Sequence, residues 1–285
     1  MSHSIRRLPA SFPLWWLCLL LTFSCVEAVA QSPVARILLR DVVGEVTILN
    51  ADGSQEVGES GMTVDPTDRV RTGADSRGVL LFSNGVHLSL QPESELVVER
   101  FARRSAPPPP PGIKETGASD TRLRLNYGQV VGQVDKLRDE SRFEVATPVG
   151  VAGIRGTRFV LTLTRNDDGT FTGFLGVTEG LVEFTLSGAN AAAASSFVGP
   201  GQQVEVTGEV DANGDVQVTQ FSGIEGLEPE VQDAIETAVE TIIQEVQATP
   251  PPGPSNTSGS NNPPPPPPAE PILYNERGGG SPAES

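Results

Sequence analysis

Cysteine is nearly missing from this chain: there are two in 285 residues, Cys18 and Cys25, both near the N-terminus. If that segment is removed, no thiol remains for a disulfide framework, a nucleophile or a Cys-ligated metal site. Export to an oxidising compartment is compatible with such a composition. Histidine is as scarce, at His3 and His87, and lysine is limited to Lys114 and Lys136. A Ser-His-Asp triad would have to use His87 as its base, yet His87 sits in an alternating strand pattern, where a solvated position is expected. Lys114 lies in a proline-rich stretch, a poor platform for a rigid Ser-Lys pair. Zinc would need several His or Cys ligands, so neither metal nor cofactor is expected. Aromatic residues make up only 5%, against 30 glycines and 25 prolines. That balance suits short strands, many turns and disordered tails.

Long apolar runs are lacking too. Leu14 to Phe23 has ten residues, half of the ~20 that a spanning helix needs. Arg6 and Arg7 precede it, and Ala28-Val29-Ala30 supplies a small-residue cleavage site before Gln31. Residues 1–30 therefore read as a secretory signal peptide, cleaved after Ala30, and the mature protein as periplasmic or otherwise exported. Two rivals are an uncleaved membrane anchor and a lipoprotein modified at Cys25; Thr22 and Phe23 make a poor lipidation box. After cleavage no integral membrane span is expected.

Positive charge is the other shortage. The formal net charge is −16; losing Arg6 and Arg7 together with Glu27 removes a net +1 and leaves −17. Such an excess of carboxylates opposes binding to nucleic acid and anionic lipid. Abundant acids leave room for a carboxylate-based cell-wall hydrolase, but they alternate with apolar residues as on a solvated strand face. Asp211-Ala212-Asn213-Gly214-Asp215 resembles a calcium loop without the EF-hand spacing or its terminal Glu, and reads as a hairpin turn.

What is present is period-two alternation, over residues 34–101 and again from Leu123 to about Phe221. Val43 to Leu49 reads as one strand. Gly78–Phe82 and Val86–Leu90 flank Asn84-Gly85, a hairpin signal in which both turn residues are expected at positive φ. Leu123–Leu125 and Gln129–Val134 flank Tyr127-Gly128. Phe159–Leu163 and Thr170–Leu175 flank the turn Asn166-Asp167-Asp168-Gly169. Glu209-Val210 is expected to pair with Val216–Thr219. So many short strands predict an all-β domain over 34–226, solenoid or sandwich-like. Residues 102–120, with five consecutive prolines from Pro107, read as an inserted loop. Residues 227–247 read as an amphipathic helix with Val231, Ile235, Val239, Ile242 and Val246 on one stripe, which must be buried on the β domain or a partner. Its acidic residues, from Glu230 to Glu245, are expected in solvent. Residues 248–285 read as a disordered Pro/Gly/Ser-rich tail.

The order of these segments carries a resemblance. Arg71-Thr72-Gly73 with Ser76 precedes the Asn84-Gly85 hairpin. Then follow Phe143 to Thr147-Pro148, Arg155-Gly156-Thr157 with Phe159, Val177-Thr178-Glu179-Gly180, and Gly199-Pro200-Gly201-Gln202. Taken together over roughly residues 40–206, this resembles the FecR family. The resemblance implies a periplasmic, solenoid-like β domain. In the best-known members that domain couples an outer-membrane transporter to a sigma-factor system through a cytoplasmic segment and one membrane helix. Only thirteen residues precede the apolar run here, so a stand-alone form without the anti-sigma segment is expected. The expected function is a non-catalytic interaction module of the cell envelope, with a role in envelope signalling, that binds another envelope protein or a cell-wall component. The alternative is a membrane-anchored signal transducer. Turn chemistry gives Gly73, Gly85, Gly128, Gly156 and Gly180 a structural reading as residues between strands, Thr147-Pro148 that of a strand end, and Arg155-Gly156-Thr157 a structural role.

Overall fold

The computed structural model describes residues 35–104, 111, 115, 117–188, 195–211 and 216–248. Residues 1–30, read above as a signal peptide, with both cysteines, and residues 249–285 of the expected tail lie outside the described residues. Among the described residues there are sixteen strands and one helix, α1 (Pro229–Ala248), so the described fold is all-β apart from that helix.

The strands form two layers joined at bent corners. Strand pairing puts β4 (Thr63–Val64), β1 (Ile37–Val43), β6 (Arg77–Phe82) and β7 (Val86–Leu90) side by side. This layer continues through the second half of β9 (Ser119–Val134), the second half of β11 (Gly150–Arg165) and the first half of β12 (Phe171–Leu186). It ends with β14 (Gln202–Val210), which pairs with β15 (Val216–Phe221) and the short β16 (Glu225–Gly226). The other layer runs β3 (Gln55–Val57), β2 (Val46–Leu49), β5 (Arg69–Thr72), β8 (Glu95–Arg103) and the first half of β9. It then takes in β10 (Arg142–Ala146), the first half of β11, the second half of β12, and β13 (Ser195–Val198) at the edge. Among the described strands only β9 and β10 pair in parallel.

Alternate side chains from both layers meet in one core. Leu80, Leu88, Val130 and Leu161 come from one side, and Ile48, Val70, Leu96 and Leu123 from the other. Phe82 stacks edge-on against Phe101 at 5.3 Å and Phe143 at 6.3 Å, across the two layers. This is a sandwich with shared strands, and of the two architectures anticipated it is the sandwich-like one.

Several segments that look like strand–turn–strand in sequence are single strands bent at a glycine. Tyr127-Gly128 sits inside the sixteen-residue β9, Gly156 inside β11 and Gly180 inside β12. Their φ values are +89°, +60° and +84°, and the β11–β12 register shifts around Arg155 and Arg158. These are bulges, which bend and twist a strand where a sandwich turns its corner. Conversely Val43–Leu49 is two strands, broken at Gly44 with φ +72°. The Asn84-Gly85 turn also differs from expectation. Only Gly85 has positive φ, +90°, and its N–H donates to the carbonyl of Phe82 at 3.0 Å. A three-residue loop with one left-handed glycine replaces the two-residue primed turn. Asn50–Gly53 and Asn166–Gly169 repeat the device, each glycine N–H donating to the asparagine carbonyl at 3.0 Å.

Helix α1 covers the outer face of the first layer. Ile235, Val239 and Ile242 are buried against Val79, Val131, Val160 and Leu227. That explains why β6 reads as a continuous apolar run, since both of its faces are covered. The helix's acidic side is not wholly in solvent: Glu245 pairs with Arg77, and Glu236 with Arg158 at 3.1 Å.

The stretch 102–120 is less of a free loop than expected. β8 runs to Arg103, and β9 begins at Ser119. Glu115 is buried, and its carboxylate accepts bonds from Ser119 Oγ (2.6 Å), Ser141 Oγ (2.7 Å) and the Arg138 N–H (2.8 Å). Asn84 Nδ2 donates to Ser119 Oγ at 3.1 Å. The proline-flanked segment is thus pinned at Glu115, because a buried carboxylate must find donors.

Candidate functional site

The residues singled out in the sequence fall into two groups. The first stitches the corners. Thr72 is buried; its hydroxyl donates to the Gln91 carbonyl at 2.6 Å and accepts from the Ser94 N–H at 3.0 Å. The Gly73 N–H donates to the Glu45 carbonyl at 2.9 Å, and the Glu45 N–H donates to Ser76 Oγ at 2.8 Å. Ser94 Oγ accepts from the Gln129 N–H at 2.9 Å. Each bond satisfies a backbone group left unpaired where a chain changes layers. Thr147 closes the β10–β11 turn over Pro148: its hydroxyl donates to the Gly150 carbonyl at 2.9 Å and accepts from the Gly150 N–H at 3.1 Å. Gly201, at φ +69°, follows Pro200 in the turn before β14, and its N–H reaches the Val177 carbonyl at 2.8 Å. Phe159 is fully buried. A Cβ on Gly180 would lie 2.0 Å from the Gly156 carbonyl oxygen, so the two bulges interlock.

Arg71 also fixes this corner from outside. Its Nε donates to Glu95 Oε2 at 2.9 Å, and Asn126 Nδ2 donates to Glu95 Oε1 at 2.7 Å. Burial alone would raise the Glu95 carboxyl. The bonds from Asn126 and Arg71, with the charges of Arg71 and Arg69, outweigh burial and hold it below its ordinary 4.5. The Arg71 guanidinium is raised, mainly by the bond to Glu95.

The second group faces outward. In Arg155-Gly156-Thr157, Thr157 points inward and donates to the Leu181 carbonyl at 3.3 Å. Arg155 points out, donates to the Asp139 carbonyl at 2.8 Å and sits 3.6 Å from the Asp139 carboxylate. Two cavities meet at this pair. One, of about 640 Å³, lies on the outer face of the second layer between Arg142, Glu144, Gly153, Glu183, Leu181 and Phe197. The other, of about 430 Å³, rounds the corner past Lys136, Gly156, Arg158 and Glu179. Leu181 is 49% exposed and Phe197 59%. The rest of this face carries ion pairs, some across strands and some along one strand. Glu99 lies between Arg122 (3.1 Å) and Arg124, and Arg142 Nε donates to Glu144 Oε1 at 2.5 Å. Nothing in the sequence marked Leu181, Gly153 or Phe197 as neighbours, because only the β11–β12–β13 register brings them together.

Among the described residues no group of three or more His, Cys, Asp or Glu side chains is placed to hold a metal ion. His87 is half-buried in β7, opposite Leu81 and Gln133.

Residues 68–183 match the family model described as FecR protein. A two-layer β domain carries this segment, which is a FecR domain over residues 68–183. The family is regulatory and non-enzymatic, and its role is related to envelope signalling. No curated protein matches the chain. Two crystal structures of a candidate anti-sigma factor from Parabacteroides distasonis are similar to it. They are 12% and 11% identical, with TM-scores of 0.40 and 0.39, over 63% and 64% of this chain and 72% and 75% of theirs.

Proposed function

We propose that this protein is an exported, non-catalytic binding module of the bacterial cell envelope, and that the outer face of its second layer holds the partner, an envelope protein or a cell-wall component. One observation carries the reading. The first layer's outer face is closed by the chain's own helix, whereas the opposite face keeps two large exposed apolar side chains beside a cavity of about 640 Å³. A cavity of that size, mixing apolar and charged groups, falls in the range of binding sites, roughly 300–1,000 Å³. Export rests on the signal-peptide pattern of residues 1–30. Among the described residues no helix is long and apolar enough to cross a membrane.

The test is crosslinking in intact cells, comparing the parent with a Leu181→Glu/Phe197→Glu double variant. The parent should give a discrete adduct that the variant loses while its melting temperature is unchanged. An adduct of equal yield in both contradicts the assignment of the face. N-terminal sequencing of the mature protein addresses export: a start at Gln31 supports it, and an intact Met1 would favour the membrane-anchored transducer.

A further inference from the structure

The three sixteen-residue strands contain eight glycines, and seven of them are dictated by the fold. Gly128, Gly156 and Gly180 have positive φ. A Cβ on Gly132, Gly150 or Gly173 would come within 2.4–2.5 Å of Phe159, Phe184 or Val149, and one on Gly176 within 3.0 Å of Leu227. Gly153 is the exception. Its φ is ordinary, and a Cβ there would meet nothing nearer than the Glu183 carbonyl oxygen at 3.6 Å. A glycine inside a strand weakens it and marks a place where another backbone or ligand comes close. Here no part of the described chain comes close.

What surrounds Gly153 says what would. Cross-strand register sets Glu144 on one side and Glu183 on the other, with Phe197 next to Glu183. The cavity over Gly153 is lined by four acids, Asp139, Glu140, Glu144 and Glu183, and two arginines, Arg142 and Arg155, a net −2. Glu144 and Asp139 are paired with those arginines; Glu183 is exposed, directly across from Gly153. β13 forms the edge here, paired with β12 alone among the described strands. An edge strand offers unpaired backbone groups to an extended chain.

We infer that the Gly153 groove receives an extended, basic and apolar polypeptide segment of the partner. Its cationic side chains seat beside Glu183, and its apolar ones on Leu181 and Phe197. An arginine or lysine over the Phe197 ring adds a cation–π contact. The chain's overall charge of −16 draws such a segment in. This inference rests on the reading of the second layer's outer face as the binding face and narrows its partner to a cationic peptide.

The test uses the full mature chain and a fluorescein-labelled peptide of alternating lysine and leucine, with alternating glutamate and leucine as the control, followed by fluorescence anisotropy. The lysine probe should bind, weaken with added salt, and outbind the glutamate probe at least tenfold. Glu183→Lys should cost at least tenfold. Gly153→Val, which fills the groove where the backbone tolerates a side chain, should cost as much while leaving the melting temperature unchanged or higher. Equal binding of the two probes, or full binding by Gly153→Val with its fold intact, overturns the inference. So does displacement of the lysine probe by a synthetic peptide of residues 249–285, which would make the chain's own tail the occupant. A dimer that dissolves in Gly153→Val, seen by sedimentation, would put a second copy there and overturn it as well. If these results fail while the Phe197-dependent cellular adduct persists, the inference falls and the binding face stands.

Discussion

Thr72, Ser76 and Ser94 owe their places to unpaired backbone groups, not to chemistry on a substrate. Each hydroxyl bridges two chain segments at the point where strands leave one layer for the other. The glycines work with them. Gly156 and Gly180 were legible as residues needing freedom, but a left-handed glycine looks the same in a turn and in a bulge, so their place inside long strands was not. Because Gly180 has its missing Cβ 2.0 Å from the Gly156 carbonyl, Gly180→Ala should destabilise the domain by about 1–3 kcal/mol in denaturant unfolding, through overpacking and backbone strain. Gly156→Val should behave similarly. If Gly156→Val keeps full stability and loses only partner binding, the bulge is functional and the structural account of it fails. Thr67 is the converse case, a β-branched residue at φ +81°. Thr67→Gly should raise stability by roughly 1 kcal/mol, by relieving the left-handed strain; an unfolding midpoint that falls would contradict that.

Among the elements, α1 was legible because its apolar stripe has a period no strand shares. Which layer it covers was not, since that depends on partners distant in sequence. Burying Ile235, Val239 and Ile242 contributes at most on the order of 1.5–3 kcal/mol each. Ending the chain at Gly226 should therefore lower the melting temperature by roughly 10 °C or more, and bare Val79, Val131 and Val160. An unchanged midpoint would mean the helix adds nothing to the sandwich. The proline-rich interruption divides in two. Its composition announced a loop, but nothing in the sequence set Glu115 apart from its surroundings, because its donors Ser141 and Arg138 lie beyond the next strand. Removing residues 105–112 should cost little, since loop length enters stability only weakly. Glu115→Ala should cost about 1–3 kcal/mol, because Ser119, Ser141 and the Arg138 N–H lose their acceptor in a buried setting. Equal stability of the two variants would show that the anchor carries no weight.

For the molecule as a whole, charge and asymmetry matter most. Glu95 is held below 4.5 in the folded state, and Asp52 and Asp168 below 3.8 by the hydroxyl and N–H groups of Ser54 and Thr170 in matching hairpin turns. A carboxyl depressed on folding adds stability that is fully present above its unfolded value and lost as pH falls through the folded one. Stability should hold from neutral pH down to about 4.5 and decline below it, and Glu95→Gln should flatten part of that decline. A decline that begins above pH 6 would point to other groups. The all-β class was legible from alternation alone; the choice of sandwich over solenoid was not, because strands that belong to both layers leave no mark in a period of two. Hence the asymmetry between a helix-sealed face and an open one emerges only in three dimensions, and it is the centre of the functional account. Its most direct measurement places a photo-crosslinking amino acid at Phe197 on the open face and, separately, at Glu240 on the helix, in intact cells. The account predicts a discrete adduct from position 197 and none from position 240; equal labelling from both, or labelling from the helix alone, would contradict it.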